Sequence, residues 1–204
     1  VYRLPVAPVI WAAEWMHDTL IARIARAPLG PKTYEYSDLG YYLFQRFLER
    51  RDGRSIERQL EDDWYGPLGA SLCFNPEASE RVAPTEYDRV FRKQQIRGTV
   101  HDQGAALMGG VAGHAGVFGT AEGVARMMQV FLDGGTANGL RFTSAEALNR
   151  FTACLACDQG NRRGLGFDKR QRSGGGPACL CTSTSSFGHT GFTGTFAWAD
   201  PETG

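Results

Sequence analysis

The chain has 204 residues, 22 Lys+Arg against 22 Asp+Glu, and is 42% hydrophobic and 11% aromatic. That length suits one sizeable domain with a buried core, the zero formal charge argues against nucleic-acid binding, and four Trp, seven Tyr and twelve Phe argue against disorder. No stretch approaches the roughly 18 apolar residues that a helical membrane span needs, and the unusual figure is 26 Gly.

The chain opens at Val1 with no Met, charged n-region or apolar h-region, so no signal peptide is visible. Residues 37–51 place Leu39, Leu43 and Phe47, with Tyr42 one step round, at helical spacing. Asp52-Gly53 ends this amphipathic helix. Ser55 then caps a second helix from Ile56 to about Trp64, which Gly66-Pro67-Leu68-Gly69 ends. Cys73 reads as a small buried apolar residue. Residues 75–100 carry Pro76, Pro84 and mixed charge without periodicity, an ordered but irregular connection.

A glycine run follows, Gly109-Gly110-Val111-Ala112-Gly113-His114-Ala115-Gly116-Val117-Phe118-Gly119. Thr120 caps the next helix, whose buried stripe is Val124, Met128, Phe131 and Leu132, and Gly134 and Gly135 close it. Thr143 or Ser144 starts a short helix with Ala147, Leu148 and Phe151 inward. Residues 158–186 are loop-rich, with glycines at 174–176. Residues 187–200 finish with Thr195-Phe196-Ala197-Trp198-Ala199 as a strand. Helices in the middle and strand character at the end give an α+β class. Asp200-Pro201-Glu202-Thr203-Gly204 is a turn after an apolar run, so the chain reads as a single partial domain over 1–204, truncated at both ends.

Cys154 and Cys157 form C-x-x-C and Cys179 and Cys181 form C-x-C. The four could hold zinc, pair as disulfides or remain free thiols; the second clip is one residue short of zinc spacing, which puts zinc last. No cofactor is implied. Arg162-Arg163 and Arg170 with Arg172 read as solvated charge. His101-Asp102 reads as a structural turn, and His17 has no neighbours that suggest chemistry.

Two segments carry chemistry. Tyr36-Ser37-Asp38 enters a helix, where outward N–H groups favour negative charge and a phenol can exchange a proton; a Tyr packed at a helix start is the plainer reading. In His189-Thr190-Gly191-Phe192-Thr193-Gly194, glycines allow close approach to a strand edge whose N–H groups can hold an oxyanion, beside a group that titrates near neutral pH. His114 either borders a site or is a satisfied loop histidine.

Together these segments resemble the serine β-lactamase-like family, which includes class C β-lactamases, DD-peptidases and related esterases. Tyr36-Ser37-Asp38-Leu39-Gly40-Tyr41 is similar to its Y-x-N/D-x-G segment. The glycine run with Thr120-Ala121-Glu122 resembles its G-G-x-x-G-x-x-G-x-x-S/T-x-x-D/E stretch. Phe187 to Gly194 resembles its third motif, K-T-G or H-x-G. Val100-His101-Asp102, Gly164-Leu165-Gly166-Phe167-Asp168-Lys169 and Ala199-Asp200-Pro201-Glu202 resemble the domain that follows a β-N-acetylglucosaminidase-type glycoside hydrolase in some bacterial envelope proteins.

The resemblance implies a β-lactamase/transpeptidase-like fold, an antiparallel sheet flanked by helices with a helical lobe. It implies a periplasmic or envelope location, a small-molecule or peptidoglycan-derived substrate and a fused glycoside hydrolase as partner. By the same resemblance Tyr36, Asp38 and His189 are catalytic, and Thr190, Gly191, Phe192 and His114 bind substrate. Asp38 stands for the family's Asn and would orient a lysine or bind a substrate amide. The Phe192 N–H would be one oxyanion donor. The family's S-x-x-K is absent, because Lys32, Lys93 and Lys169 are preceded at that offset by Leu29, Val90 and Gly166. Residues 1–204 alone are therefore expected to be inert, with a non-catalytic domain of the same fold as the alternative.

Overall fold

The computed structural model describes residues 2–77, 80–155, 157, 160–171 and 176–204. Gly174 and Arg172, expected in a loop, lie outside the described residues. In chain order the elements are β1 (Tyr2–Ala7), β2 (Ile10–Ala13), α1 (Trp15–Arg26), α2 (Leu39–Asp52), α3 (Ile56–Leu60), a π turn (Glu61–Tyr65) and the single turn α4 (Gly66–Leu68). There follow β3 (Leu72–Phe74), β4 (Tyr87–Asp88), β5 (Gln94–Gln95), α5 (Gln103–Leu107), β6 (Val117–Gly119), α6 (Ala121–Leu132), β7 (Thr136–Ala137), β8 (Leu140–Arg141), α7 (Ala145–Thr152), β9 (Asp168–Lys169), β10 (Phe187–Thr190) and β11 (Phe196–Ala199). Helices and antiparallel pairs are mixed, which is the α+β class. They gather into two units, Val1–Asp62 with Leu72–Phe118 and Asp63–Ser71 with Gly119–Gly204.

In the first unit the β1–β2 hairpin and α1 precede the first helix that periodicity revealed. The core joins Val6, Tyr42, Val100, Ala105, Ala106, Met108 and Ala112, with Leu20, Ile21 and Ile24 of α1 packed against it. Helix α2 corrects the expected burial. Its inward residues are Tyr42 and Gln45, whereas Leu39, Leu43 and Phe47 are exposed, Phe47 by 56%. The reason is polar: Gln45 turns inward because backbone groups of the glycine run need partners there. Cys73 is likewise exposed and free, not buried; it points outward between buried Leu72 and Phe74, as strand alternation requires.

Residues 85–101 hold more structure than their composition suggests. Asp88 and Arg92 are both buried and paired at 2.9 Å, and Arg92 also donates to the carbonyls of Val100 at 2.6 Å and His101 at 2.5 Å. The Asp88 carboxylate also accepts from the N–H groups of Val90 and Phe91. Burial works against its charge, but the hydrogen bonds from Arg92, Phe91 and Val90 win, holding the carboxyl well below its usual range.

In the second unit Thr120 caps α6 through the Gly123 N–H at 3.0 Å, and Ser144 caps α7 through Ala147 at 3.1 Å. The α6 stripe is shifted from expectation: Gly123 and Val130 are buried, Met128, Phe131 and Leu132 are half-buried, and Val124 is exposed. Phe151 of α7 is exposed too, while Leu148 is buried. Phe131, Phe167 and Phe187 form an aromatic cluster with centroids 5.0–6.3 Å apart. Strand β10 lies between β11 and β9, both antiparallel to it. Cys154 is joined to Cys157 and Cys179 to Cys181, the disulfide alternative. The closing turn is pinned by Asp200, which accepts from the Ser183 hydroxyl and backbone N–H and from the Glu202 N–H; these bonds, that of the Ser183 hydroxyl first, hold its carboxyl below the usual range.

Candidate active site

Tyr36, Asp38 and His114 belong to the first unit, and His189, Thr190, Gly191 and Phe192 to the second. Tyr36 lies two residues before Asp38, the N-cap residue of α2, with its side chain exposed. The Leu39 N–H is accepted by the Ser37 hydroxyl at 3.2 Å, so the cap bond comes from Ser37 and not from Asp38. Further along the helix Gln45 meets the glycine run. The Gln45 carbonyl accepts from the Gly113 N–H at 3.0 Å, and its amide donates to the Val111 carbonyl at 3.3 Å and to Glu49 at 3.1 Å. Gly113 has no alternative, since a Cβ there would sit 2.7 Å from the Tyr41 carbonyl.

His114 is turned inward. Its side chain is 6% exposed, with Nε2 3.1 Å from Asp102 and the ring centroid 4.5 Å from that of Tyr42. Asp102 also caps α5 through the Ala105 N–H at 2.6 Å. The His114 bond, followed by that of Ala105, holds the Asp102 carboxyl below its usual range despite partial burial. Burial first, then the charges of Asp102 and Asp38, push the Tyr42 phenol well above its usual range. Tyr42 is thus a neutral core hydroxyl. His114 with Asp102 pins the glycine run to α5 and α2, a link the sequence reading missed.

In the second unit His189 and Thr190 end β10, and β9 pairs only with Phe187 and Gly188, leaving those last two residues outside the β9 ladder. A tight turn follows, closed by Gly191 N–H to Thr195 O at 2.8 Å and Gly194 N–H to Gly191 O at 3.0 Å. Phe192 stands at its tip, 94% exposed. The Gly191 N–H is therefore spent inside the turn.

Around His189 lie charges that composition made look solvated. Arg162 and Arg163 both pair with buried Asp168, at 3.2 and 2.7 Å, and Arg163 Nη1 lies 2.9 Å from His189 Nε2. His189 Nδ1 lies 2.6 Å from the Thr190 carbonyl oxygen. This corrects the solvated-charge reading of Arg162-Arg163: a buried carboxylate draws them in. The missed signal was acidic Asp168 directly after the apolar Leu165-Gly166-Phe167. Lys169 beside it is buried, donating to the Ser185 carbonyl at 2.6 Å and lying 5.7 Å from the Phe187 ring centroid. Burial lowers its pKa, partly opposed by Asp200.

Comparison with known proteins adds four findings. A family model described as Beta-lactamase matches residues 3–204. A protein of Escherichia coli O157:H7 named "Putative D-alanyl-D-alanine carboxypeptidase" is 35% identical over 199 residues, covering 87% of this chain and 45% of that one. An N-acetylmuramyl-L-alanine amidase of Bacillus subtilis (strain 168) is 31% identical over 210 residues, covering 90% and 46%. A penicillin-binding protein homologue from Caulobacter crescentus, known as a crystal structure, shares the fold with a TM-score of 0.62 at 23% identity, over 93% of this chain and 57% of that one. The chain spans about half the length of the curated relatives it matches.

Proposed function

Because the chain belongs to the β-lactamase family over residues 3–204, we propose that it forms part of a serine acyl-hydrolase acting on a peptidoglycan-related amide, an ester or a β-lactam. The observation that carries this reading is the ordered set of three segments, each on the element its chemistry needs. Tyr36 stands at the entry of a 14-residue helix, the glycine run packs on that helix through Gln45, and His189-Thr190 ends a strand beyond its pairing with β9. Relatives bearing carboxypeptidase and amidase names support cell-wall chemistry.

On this reading a serine attacks the carbonyl, the leaving group departs, and water hydrolyses the acyl-enzyme. Tyr36 shares the proton transfers with a lysine. Asp38 orients that lysine, and Thr190, Gly191 and Phe192 line the acyl group's strand edge. The serine and lysine come from outside residues 1–204, which contain no S-x-x-K. Two disulfides support an oxidising compartment, the periplasm or envelope. A fused glycoside hydrolase domain is part of the proposal, on the likeness of the Val100-His101-Asp102 and Gly164 to Lys169 wording.

The test is covalent labelling of the intact protein with a penicillin or fluorophosphonate probe, followed by mapping of the modified serine. We expect one labelled Ser in an S-x-x-K, and Tyr36→Phe to slow acylation roughly 100-fold. An intact protein without S-x-x-K, or one that takes no label, overturns the reading. The missing S-x-x-K motivates a second reading, a non-catalytic cell-wall-binding or scaffolding domain. That one requires saturable binding of muropeptides with no turnover.

A further inference from the structure

We propose that Arg163, anchored by Asp168, is a positioning residue that locks His189 in a single neutral tautomer and supplies the fixed positive charge of the Thr190 strand edge. Two contacts made by opposite sides of the imidazole lead there independently. A guanidinium only donates, so Nε2 of His189, 2.9 Å from Arg163 Nη1, must accept and carry no proton. A backbone carbonyl only accepts, so Nδ1, 2.6 Å from the Thr190 oxygen, must donate and carry the proton. Both demand the Nδ1–H form. A protonated imidazole would set two donors against each other at Nε2.

The guanidinium is itself held. Its Nε lies 2.7 Å from Asp168, whose side chain is 1% exposed, and Arg162 pairs with the other oxygen of the same carboxylate at 3.2 Å. Two cations on one carboxylate leave a net positive charge beside the strand edge, while the histidine held there is uncharged. Nδ1–H to Thr190 also ties the ring to the residue that follows it, so the orientation of His189 and the backbone at Thr190 are set together. The order Asp168, Arg163, His189 is therefore a relay of orientation from a buried strand start to the end of β10.

The consequence for catalysis rests on the acyl-hydrolase reading, but the tautomer does not, and the experiment separates them. Nitrogen-15 imidazole spectra of the full chain at mildly alkaline pH should show His189 with a protonated Nδ1 and a bare Nε2. Arg163→Gln should abolish that single pattern and give a tautomer mixture, Arg163→Lys should restore part of it, and the other three histidines should be unchanged. A wild-type His189 carrying its proton on Nε2, or an Arg163→Gln spectrum identical to wild type, overturns the proposal, and the wild-type spectrum decides even if a variant does not fold. In the intact protein Arg163→Gln should slow acylation by the probe, with partial rescue by lysine. Equal acylation rates in wild type and Arg163→Gln overturn the positioning role. No acylation of the wild type overturns only the enzymatic reading.

Discussion

Asp102 holds two neighbours with one carboxylate: the Ala105 N–H at the start of α5, and His114 in the glycine run. Its pKa is lowered in the fold, chiefly by His114, so it takes protons more readily when unfolded. Stability from this group is then complete above the ordinary aspartate range and is lost as pH falls through the lowered value. We expect Asp102→Asn, which can still cap, to lose that contribution near neutral pH and so to show a flatter acid-side stability profile than wild type. Asp102→Ala should cost about 1 kcal/mol or more for the cap alone. Urea unfolding at several pH values measures both, and an unchanged acid profile in Asp102→Asn would refute the assignment. The turn at His101-Asp102 was legible in the sequence, but its tie to His114 was not. Local spacing rules reach one or two helical turns, and these residues meet only because the intervening glycine-rich segment folds back. Arg163 was hidden for the same reason, since Asp168 and His189 reach it from different strands.

At the scale of elements, caps were the most readable signals. Ser55, Thr120 and Ser144 each bond the N–H three residues on, because a cap is a local contact between neighbours in sequence. Burial was less readable. The apolar stripe of α2 faces outward, and Gln45 faces in, because the glycine run presents backbone groups that need a partner. Helix α6 shows a related limit at Gly123, where a Cβ would lie 2.9 Å from the Ser71 carbonyl oxygen. Helix propensity alone says that Gly123→Ala should stabilise by up to about 1 kcal/mol. Close packing reverses the sign, and we expect a loss of roughly 1–3 kcal/mol from overpacking. Equilibrium denaturation decides, and a stabilised Gly123→Ala would show that Ser71 yields at no cost.

For the whole molecule, class and family followed from the sequence because three short segments came in one order, whereas division into two units did not. No linker marks the boundary. The chain instead passes from the first unit into the second at Asp63, returns at Leu72 and leaves again after Phe118. Residues 63–71 lend the second unit Trp64, whose ring lies 5.3 Å from Phe142, and the backbone of Ser71, which accepts from the Thr120 N–H at 3.2 Å. The segment 119–204 expressed alone should therefore lack cooperative thermal unfolding by circular dichroism. The same segment with 63–71 joined ahead of it by a flexible linker should regain it. Cooperative unfolding without 63–71 would show that the second unit is complete without them.

That nesting also sets a timetable. Chains leave the ribosome N-terminus first at about 5–20 residues per second. Residues 63–71 thus emerge several seconds before the α6 and Phe142 surfaces they will cover. Through that interval Trp64 has no ring to meet, while residues 72–118 of the first unit are made behind it.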